Sequence, residues 1–296
     1  MKNYDVTFIG HMCYDEITYP GREPVVNPGS AVLCGAMAAV HTGKKIAAVV
    51  KLARKDEIIV QSMQEAGIEV YIIPAKETTY SRVIHASMNM DERELVLVKD
   101  SGRFSIEDIP EIKSRYIHLA GISNREFDID FIREIHKNGS SLSVDMQSFV
   151  RQVDEVTRKI AFSDVENKEE LVSYFDKVKL DIVEARILTG EDDIEKAARI
   201  IASWGTREVI ITQSDGILAY AEGAVYYEKF SHISSIGRTG RGDTAFAAYL
   251  CRRIDYSVRD SLKFAAALVS VKMENHGPFN GSIDEVIKRM EEAHRG

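Results

Sequence analysis

The sequence predicts an α/β protein in which a largely parallel sheet is covered by helices and a small β-sheet stands outside the main layer. Strand and helix signals alternate through the first 73 residues, a β-hairpin signal interrupts them between residues 80 and 99, and the alternation then resumes. No repeat, low-complexity run or linker divides the 296 residues, so a single domain over 1–296 is the economical reading.

Taken in order, Tyr4 to Ile9 reads as an apolar strand ending at Gly10, and Ser30 to Val40 as an all-round apolar helix stopped by Gly43. Ile46 to Val50 is the next strand, Asp56 to Ala66 reads as a helix closing on Gly67, and Ile68 to Ile73 is a third strand. Tyr80–Met90 and Glu94–Lys99 flank a polar Asp91-Glu92-Arg93 turn. Together with the extended Asp15 to Tyr19 they predict a small antiparallel sheet, built from segments at about 14–27 and 79–100, placed to act as a lid. Strands at Tyr116–Ala120, Leu142–Asp145, Glu208–Thr212, Ile217–Tyr220 and Val225–Lys229 follow, among helices at Asp128–Lys137, Lys168–Asp176, Asp193–Trp204, Asp243–Arg253, Val258–Glu274 and Ile283–His294.

Composition narrows the partners. A formal charge of −8 argues against a nucleic-acid binder, so any anionic ligand must be gripped by local groups. Cys13, Cys34 and Cys251 are odd in number and far apart, which predicts reduced thiols and a cytoplasmic location. The N-terminus lacks a signal-peptide pattern, and Asn27, Pro28, Gly29 and Gly35 break the uncharged stretch from Val25 to Gly43, so no membrane partner is expected.

The stretch Ser234 to Arg253, SSIGRTGRGDTAFAAYLCRR, superimposes three motifs. Arg241-Gly242-Asp243 is an adhesion tripeptide, which has no receptor to meet inside a cell. Gly240, Gly242 and Ala245 fit a dinucleotide fingerprint, but the segment before them is a poor strand and those after them are helices. The third reading is a glycine turn at a helix N-terminus, where unpaired amides hold a phosphate. There Asp243 either stabilises the helix start or acts as a general base. A P-loop is excluded, because no G-x-x-x-x-G-K-[ST] occurs.

G237-R-T-G-R-G-D243 resembles the late signature of the ribokinase, or pfkB, family of carbohydrate kinases, and the likeness covers most of the chain. The resemblance implies a ribokinase-like fold with helices on both sheet faces, Asp243 as catalytic base, and an anion hole from the amides of Gly240, Arg241 and Gly242. G10-H-M-C-Y-D15 resembles the segment that supplies an aspartate to substrate hydroxyls. G29-S-A-V-L-C34-G-A36 to Gly43 resembles a second substrate element, with Ser30 for its second glycine and Cys34 for its asparagine. Gly29, Ser30 and Cys34 are therefore implied at the substrate, together with Gln147 of V144-D145-M-Q147-S-F-V-R151.

For the donor, D181-I-V-E184 stands where the family carries N-x-x-E, implying contact of Asp181 with the cofactor and of Glu184 with Mg²⁺ through water. The T-x-G-x-x-G nucleotide element survives only as Thr212-Gln213-Ser214-Asp215-Gly216, a residue short and without its first glycine. Thr212, Ser214, Gly216, Asn275 and Gly277 are its implied nucleotide contacts, with Gly240 and Gly242 at the phosphates. The resulting expectation is an ATP- and Mg²⁺-dependent kinase for a hydroxyl of a sugar or cyclic polyol, a hexose or a cyclitol such as myo-inositol. A pentose or nucleoside kinase of the same family, and a sugar-sensing regulator on the kinase fold, are the alternatives. Arg238 and Arg241 have no counterpart in the common family form, and the lid leaves monomer and homodimer both open.

Overall fold

The structure, a computed structural model, describes residues 2–85 and 93–293. Its strands are β1 Lys2–His11, β2 Cys13–Thr18, β3 Val25–Gly29, β4 Ile46–Ala53, β5 Glu69–Ala75, β6 Thr79–His85, β7 Arg93–Lys99, β8 Ile112–Leu119, β9 Ser141–Asp145, β10 Arg151–Val153, β11 Ile160–Phe162, β12 Lys177–Asp181, β13 Glu208–Thr212, β14 Gly216–Ala221 and β15 Ala224–Lys229. The helices are α1 Ala31–Val40, α2 Gln61–Glu65, α3 Ile129–His136, α4 Gln147–Val150, α5 Lys168–Ser173, α6 Ile182–Thr189, α7 Ile194–Ser203, α8 Arg241–Arg252, α9 Val258–Met273 and α10 Ile283–Glu292.

Nine strands form one sheet in the order β15-β14-β13-β12-β9-β8-β1-β4-β5. From β13 to β5 every neighbouring pair is parallel, and the β13–β14–β15 meander adds an antiparallel edge. Side-chain alternation divides the core between the two faces. Phe8, Ala48 and Ile210 pack beneath α1, α8 and α9, whereas Ile9, Val49, Val209 and Ile211 pack with α3 and α7. The chain builds outward from β1 in one direction to β4 and β5 and in the other to β8 and β9, so the order switches between β1 and β8. At such a point the carboxyl ends of the strands leave a crevice.

The lid is a separate four-stranded sheet in the order β3-β2-β6-β7. The sequence predicted it as antiparallel, but β2 and β6 run parallel, Cys13 opposite Thr79. The reason is topological: β2 continues β1 and β6 continues β5, and β1 and β5 run the same way in the main sheet. β3 completes the lid edge, and the hairpin's Asp91 and Glu92 lie outside the described residues. The hinge is polar and buried. Thr79 Oγ1 lies 2.9 Å from His11 Nδ1 and 3.0 Å from Ser101 Oγ, joining the three crossings between sheet and lid.

Three local expectations are corrected. Asp56–Ala66 is a 3₁₀ turn over Arg54–Val60 followed by the short α2. The strand β12, the first lysine-containing strand of the C-terminal half, went unrecognised because Lys177 and Lys179 break its apolar run. The helix expected from Asp243 begins two residues earlier, at Arg241, because Gly240 takes φ 75° and caps it, which makes Asp243 the third residue of the first turn. His294, expected to end the last helix, lies outside the described residues.

Candidate active site

The carboxyl ends of the parallel strands carry the polar residues of the crevice. β1 leads through His11 into Asp15, β9 ends at Asp145, β12 at Asp181, β13 at Thr212, and α8 approaches from above with its glycine turn. Asp15 is held on the lid, where Ser81 Oγ donates to its Oδ1 and the Cys13 thiol lies 3.3 Å away. Gly29 is a steric necessity: a β-carbon there would stand 2.0 Å from Asp15 Oδ2.

The glycine turn is equally tight. A β-carbon on Gly240 would meet Cys34 Sγ at 2.3 Å, and one on Gly242 would meet Lys179 Nζ at 2.8 Å. Cys34 is therefore the floor beneath Gly240, and its thiol is pushed up to about 12, first by burial and then by the Asp243 carboxylate. At the head of α8 the Arg241 N–H is used by Arg238 O at 3.1 Å, which amends the expected anion hole. The amides left to face an anion at this turn are those of Gly240, Gly242 and Asp243, none of which donates to a backbone carbonyl among the described residues.

Lys179 was missed from the sequence, since a strand lysine ordinarily signals exposure. Here it is buried beneath Gly242, donating to Asp145 Oδ2 at 2.8 Å. Burial works against its charge, but Asp145 first and then Glu184, Asp243 and Asp181 hold its pKa above the ordinary lysine value. Asp243 is raised from the usual aspartate range, chiefly by burial and next by Asp145, while Lys179, Arg151 and Lys272 pull the other way. A carboxylate with a raised pKa beside an anion-binding turn is suited to accepting a proton.

Asp181 and Glu184 form a reciprocal cap of α6: Asp181 Oδ1 accepts from Val183 N and Glu184 N at 2.9 Å, and Glu184 Oε2 accepts from Asp181 N at 2.8 Å. Glu184 Oε1 is fully buried with no hydrogen-bond partner, 3.8 Å from Arg151 Nη2. Burial, then the neighbouring Asp181, pushes Glu184 up to about 8. Among the described residues no cluster of three or more His, Cys, Asp or Glu side chains is close enough to ligate a metal directly. An orphaned carboxylate oxygen beside a second carboxylate fits a magnesium ion held through its own waters.

In the segment expected to contact the nucleotide, Thr212 is buried at the end of β13, and the turn after it is closed by Gln213 N–H to Gly216 O at 3.0 Å. Tyr227 packs over Gly216, where a β-carbon would lie 2.3 Å from its hydroxyl, and accepts from Gln213 Nε2 at 2.8 Å. Arg241 Nη1 reaches from α8 to Ser214 O at 3.3 Å, so the head of α8 and the turn after β13 meet. Gly237 needs to be glycine because a β-carbon would overlap Asn275 O at 1.8 Å.

Four of the sequence-derived contacts turn their polar atoms to the protein, among them Thr212, whose hydroxyl donates to Leu180 O at 3.4 Å. Ser30 caps α1 at Leu33 N, 3.0 Å, and Gln147 Nε2 donates to Gly121 O at 2.8 Å. Asn275 Nδ2 reaches back to Val271 O at 3.4 Å, and Gly277, at φ 82°, has open space around it.

A ribokinase-like fold, a lid bearing a carboxylate and a glycine turn presenting a half-buried aspartate together define a phosphotransferase acting on hydroxyl acceptors. The model of the pfkB family carbohydrate kinases matches residues 2–285, and the chain belongs to that family. A sulfate complex of a pyrophosphate-dependent kinase in the ribokinase family is 31% identical, with TM-score 0.89 over 96% of this chain and 99% of the other. A pyrophosphate-dependent kinase in the ribokinase family complexed with a pyrophosphate analog and myo-inositol is 30% identical, with TM-score 0.87 over the same shares. The ribokinase of Arabidopsis thaliana complexed with ribose and ATP shares the fold at 16% identity, TM-score 0.76, over 98% of this chain and 99% of that one. A cytidine kinase of Thermococcus kodakarensis is 24% identical over 221 residues, 73% of this chain and 76% of its own. Among the described residues no helix is long and apolar enough to cross a membrane.

Proposed function

We propose that this protein phosphorylates a hydroxyl of a ring polyol such as myo-inositol and takes the phosphoryl group from pyrophosphate. ATP is the donor expected from the family resemblance. The observation that supports pyrophosphate over ATP is the Arg241 bridge to Ser214 across a shortened turn, set beside buried Lys179 and Lys272. A donor without a nucleoside must be bound almost wholly by charge and amide hydrogen bonds, and cations concentrate here in a chain whose formal charge is −8. The two relatives at 30–31% identity support the same donor.

In this reading Asp15 grips the acceptor with its free oxygen, and closure of the four-stranded lid excludes water as a competing acceptor. Asp243 accepts the hydroxyl proton as the oxygen attacks the terminal phosphorus; the bridging P–O bond breaks and orthophosphate leaves. The amides of Gly240, Gly242 and Asp243 and the Lys179 ammonium face the charge on the transferring group. Asp181 and Glu184 would hold Mg²⁺ through water, and the ion would supply further neutralisation of donor charge. Three buried, unpaired cysteines support the cytoplasm as its location.

The test is a donor-by-acceptor matrix: pyrophosphate or ATP, each with Mg²⁺, against myo-inositol, hexoses, ribose and cytidine, reading phosphorylated product. Product with pyrophosphate and myo-inositol is expected. Turnover with ATP alone overturns the donor assignment, and turnover with cytidine alone overturns the acceptor.

A further inference from the structure

The loop that leads into the glycine turn is seated on the C-terminal end of α9. Gly237 N donates to Met273 O at 2.8 Å, and the overlap of a Gly237 β-carbon with Asn275 O leaves no room for any side chain there. Beneath this loop lies Lys272, only 2% exposed, whose ammonium donates to the carbonyls of both Gly237 and Thr239. Among the described residues it forms no ion pair with a carboxylate, although Asp243 is close enough to favour its charge. Burying an ammonium on carbonyls alone is costly, and a core position in the last turn of a helix would more cheaply hold an apolar side chain.

We infer that Lys272 is a built-in cation for the phosphate-binding turn: its ammonium fixes the Gly237 and Thr239 carbonyls and so sets the direction of the amides that follow them. In a trans peptide the carbonyl and the next N–H point opposite ways, so a Thr239 carbonyl held on Lys272 directs the Gly240 N–H away from α9. The Gly237 carbonyl does the same for Arg238 N–H. Two backbone carbonyls converging on one positive centre are the ligand set that a dehydrated monovalent cation uses. A chain that supplies this charge covalently needs none from solution. Lys272 is thus a positioning residue, acting on the donor through the turn, and the inference rests on reading that turn as the donor site.

The experiment compares pyrophosphate turnover with myo-inositol in choline, sodium, potassium and ammonium chloride at equal ionic strength. Wild-type rates are expected to agree across the salts; activation by potassium or ammonium of more than about threefold overturns the inference. For Lys272→Ala, kcat/KM for pyrophosphate is expected to fall by roughly 10- to 100-fold in choline chloride, with the acceptor KM unchanged. Ammonium or potassium should restore several-fold of that loss. A folded variant, judged by its melting curve, with undiminished donor kcat/KM, or with a loss that no cation restores, overturns it. If the alanine variant does not fold, Lys272→Gln, which keeps a donor without the charge, takes its place, and wild-type kinetics there overturn the inference. Absence of turnover with pyrophosphate and ATP alike would count against the proposed function. The Lys272 test then moves to sulfate affinity by calorimetry, where about a tenfold weakening in Lys272→Ala is expected and an unchanged affinity is contrary.

Discussion

Lys179 and Asp145 form a fully buried ion pair, Nζ to Oδ2 2.8 Å, directly under the glycine turn that leads into Asp243. The pair separates two roles at one site, the cation lying beneath Gly242 and the second carboxylate keeping the Asp243 proton affinity high. Lys179→Met is expected to raise the donor KM by about 10- to 100-fold while leaving the acceptor KM in place. Because a lone Asp145 would then be buried uncompensated, the Lys179→Met/Asp145→Asn double variant should recover stability but not donor affinity. Asp243→Asn should behave oppositely, with kcat lower by about 10²- to 10⁴-fold and donor binding largely kept. Initial-rate kinetics over both substrates checks the split, and a near-normal kcat in Asp243→Asn removes it as the base.

Gly29 offers a test of the acceptor side without touching a polar group. An added methyl, 2.0 Å from Asp15 Oδ2, must displace the carboxylate and break its bond from Ser81. Gly29→Ala is expected to raise the acceptor KM by at least about tenfold with the donor KM unchanged, reproducing Asp15→Asn. Equal acceptor KM values in wild type and Gly29→Ala would show that Asp15 does not hold the acceptor.

His118 gives a pH prediction away from the chemistry. Its ring lies between Phe8 at 5.5 Å and Phe246 at 4.8 Å, and burial lowers its pKa from 6.5 to about 4. Between those values the unfolded chain binds a proton that the folded chain refuses, so the neutral ring's contribution is complete above pH 6.5 and is lost as pH falls toward 4. The loss amounts to about 3 kcal/mol at most. His118→Gln should flatten the acid side of the melting-temperature profile by several degrees relative to wild type. Parallel profiles for the two proteins would contradict it.

Much of the site was legible because glycine, aspartate and strand-end positions leave marks in a sequence. Gly240 to Asp243 are marked as a helix-start glycine turn by their own spacing, Asp15 and Gly29 by the resemblance to the pfkB family, and the structure brings them to one crevice. The roles of Ser30 and Gln147 were less legible: a hydroxyl or amide near a ligand site reads the same whether it faces the ligand or caps a helix. Arg241, unexplained in the sequence, finds a partner only when β13 and α8 come together at Ser214.

By itself, the sequence determined the α/β class, the break that makes the lid, the glycine turn and its aspartate, because these follow from local periodicity and from conformations that few residues adopt. Tertiary structure alone decided that the lid pairs β2 with β6 in parallel, and that Lys179 and Lys272 lie inside, beneath the turn. A lysine's sequence neighbours say only that it is charged. Whether that charge is spent on solvent, a carboxylate or two carbonyls is settled by which distant strands and helices surround it.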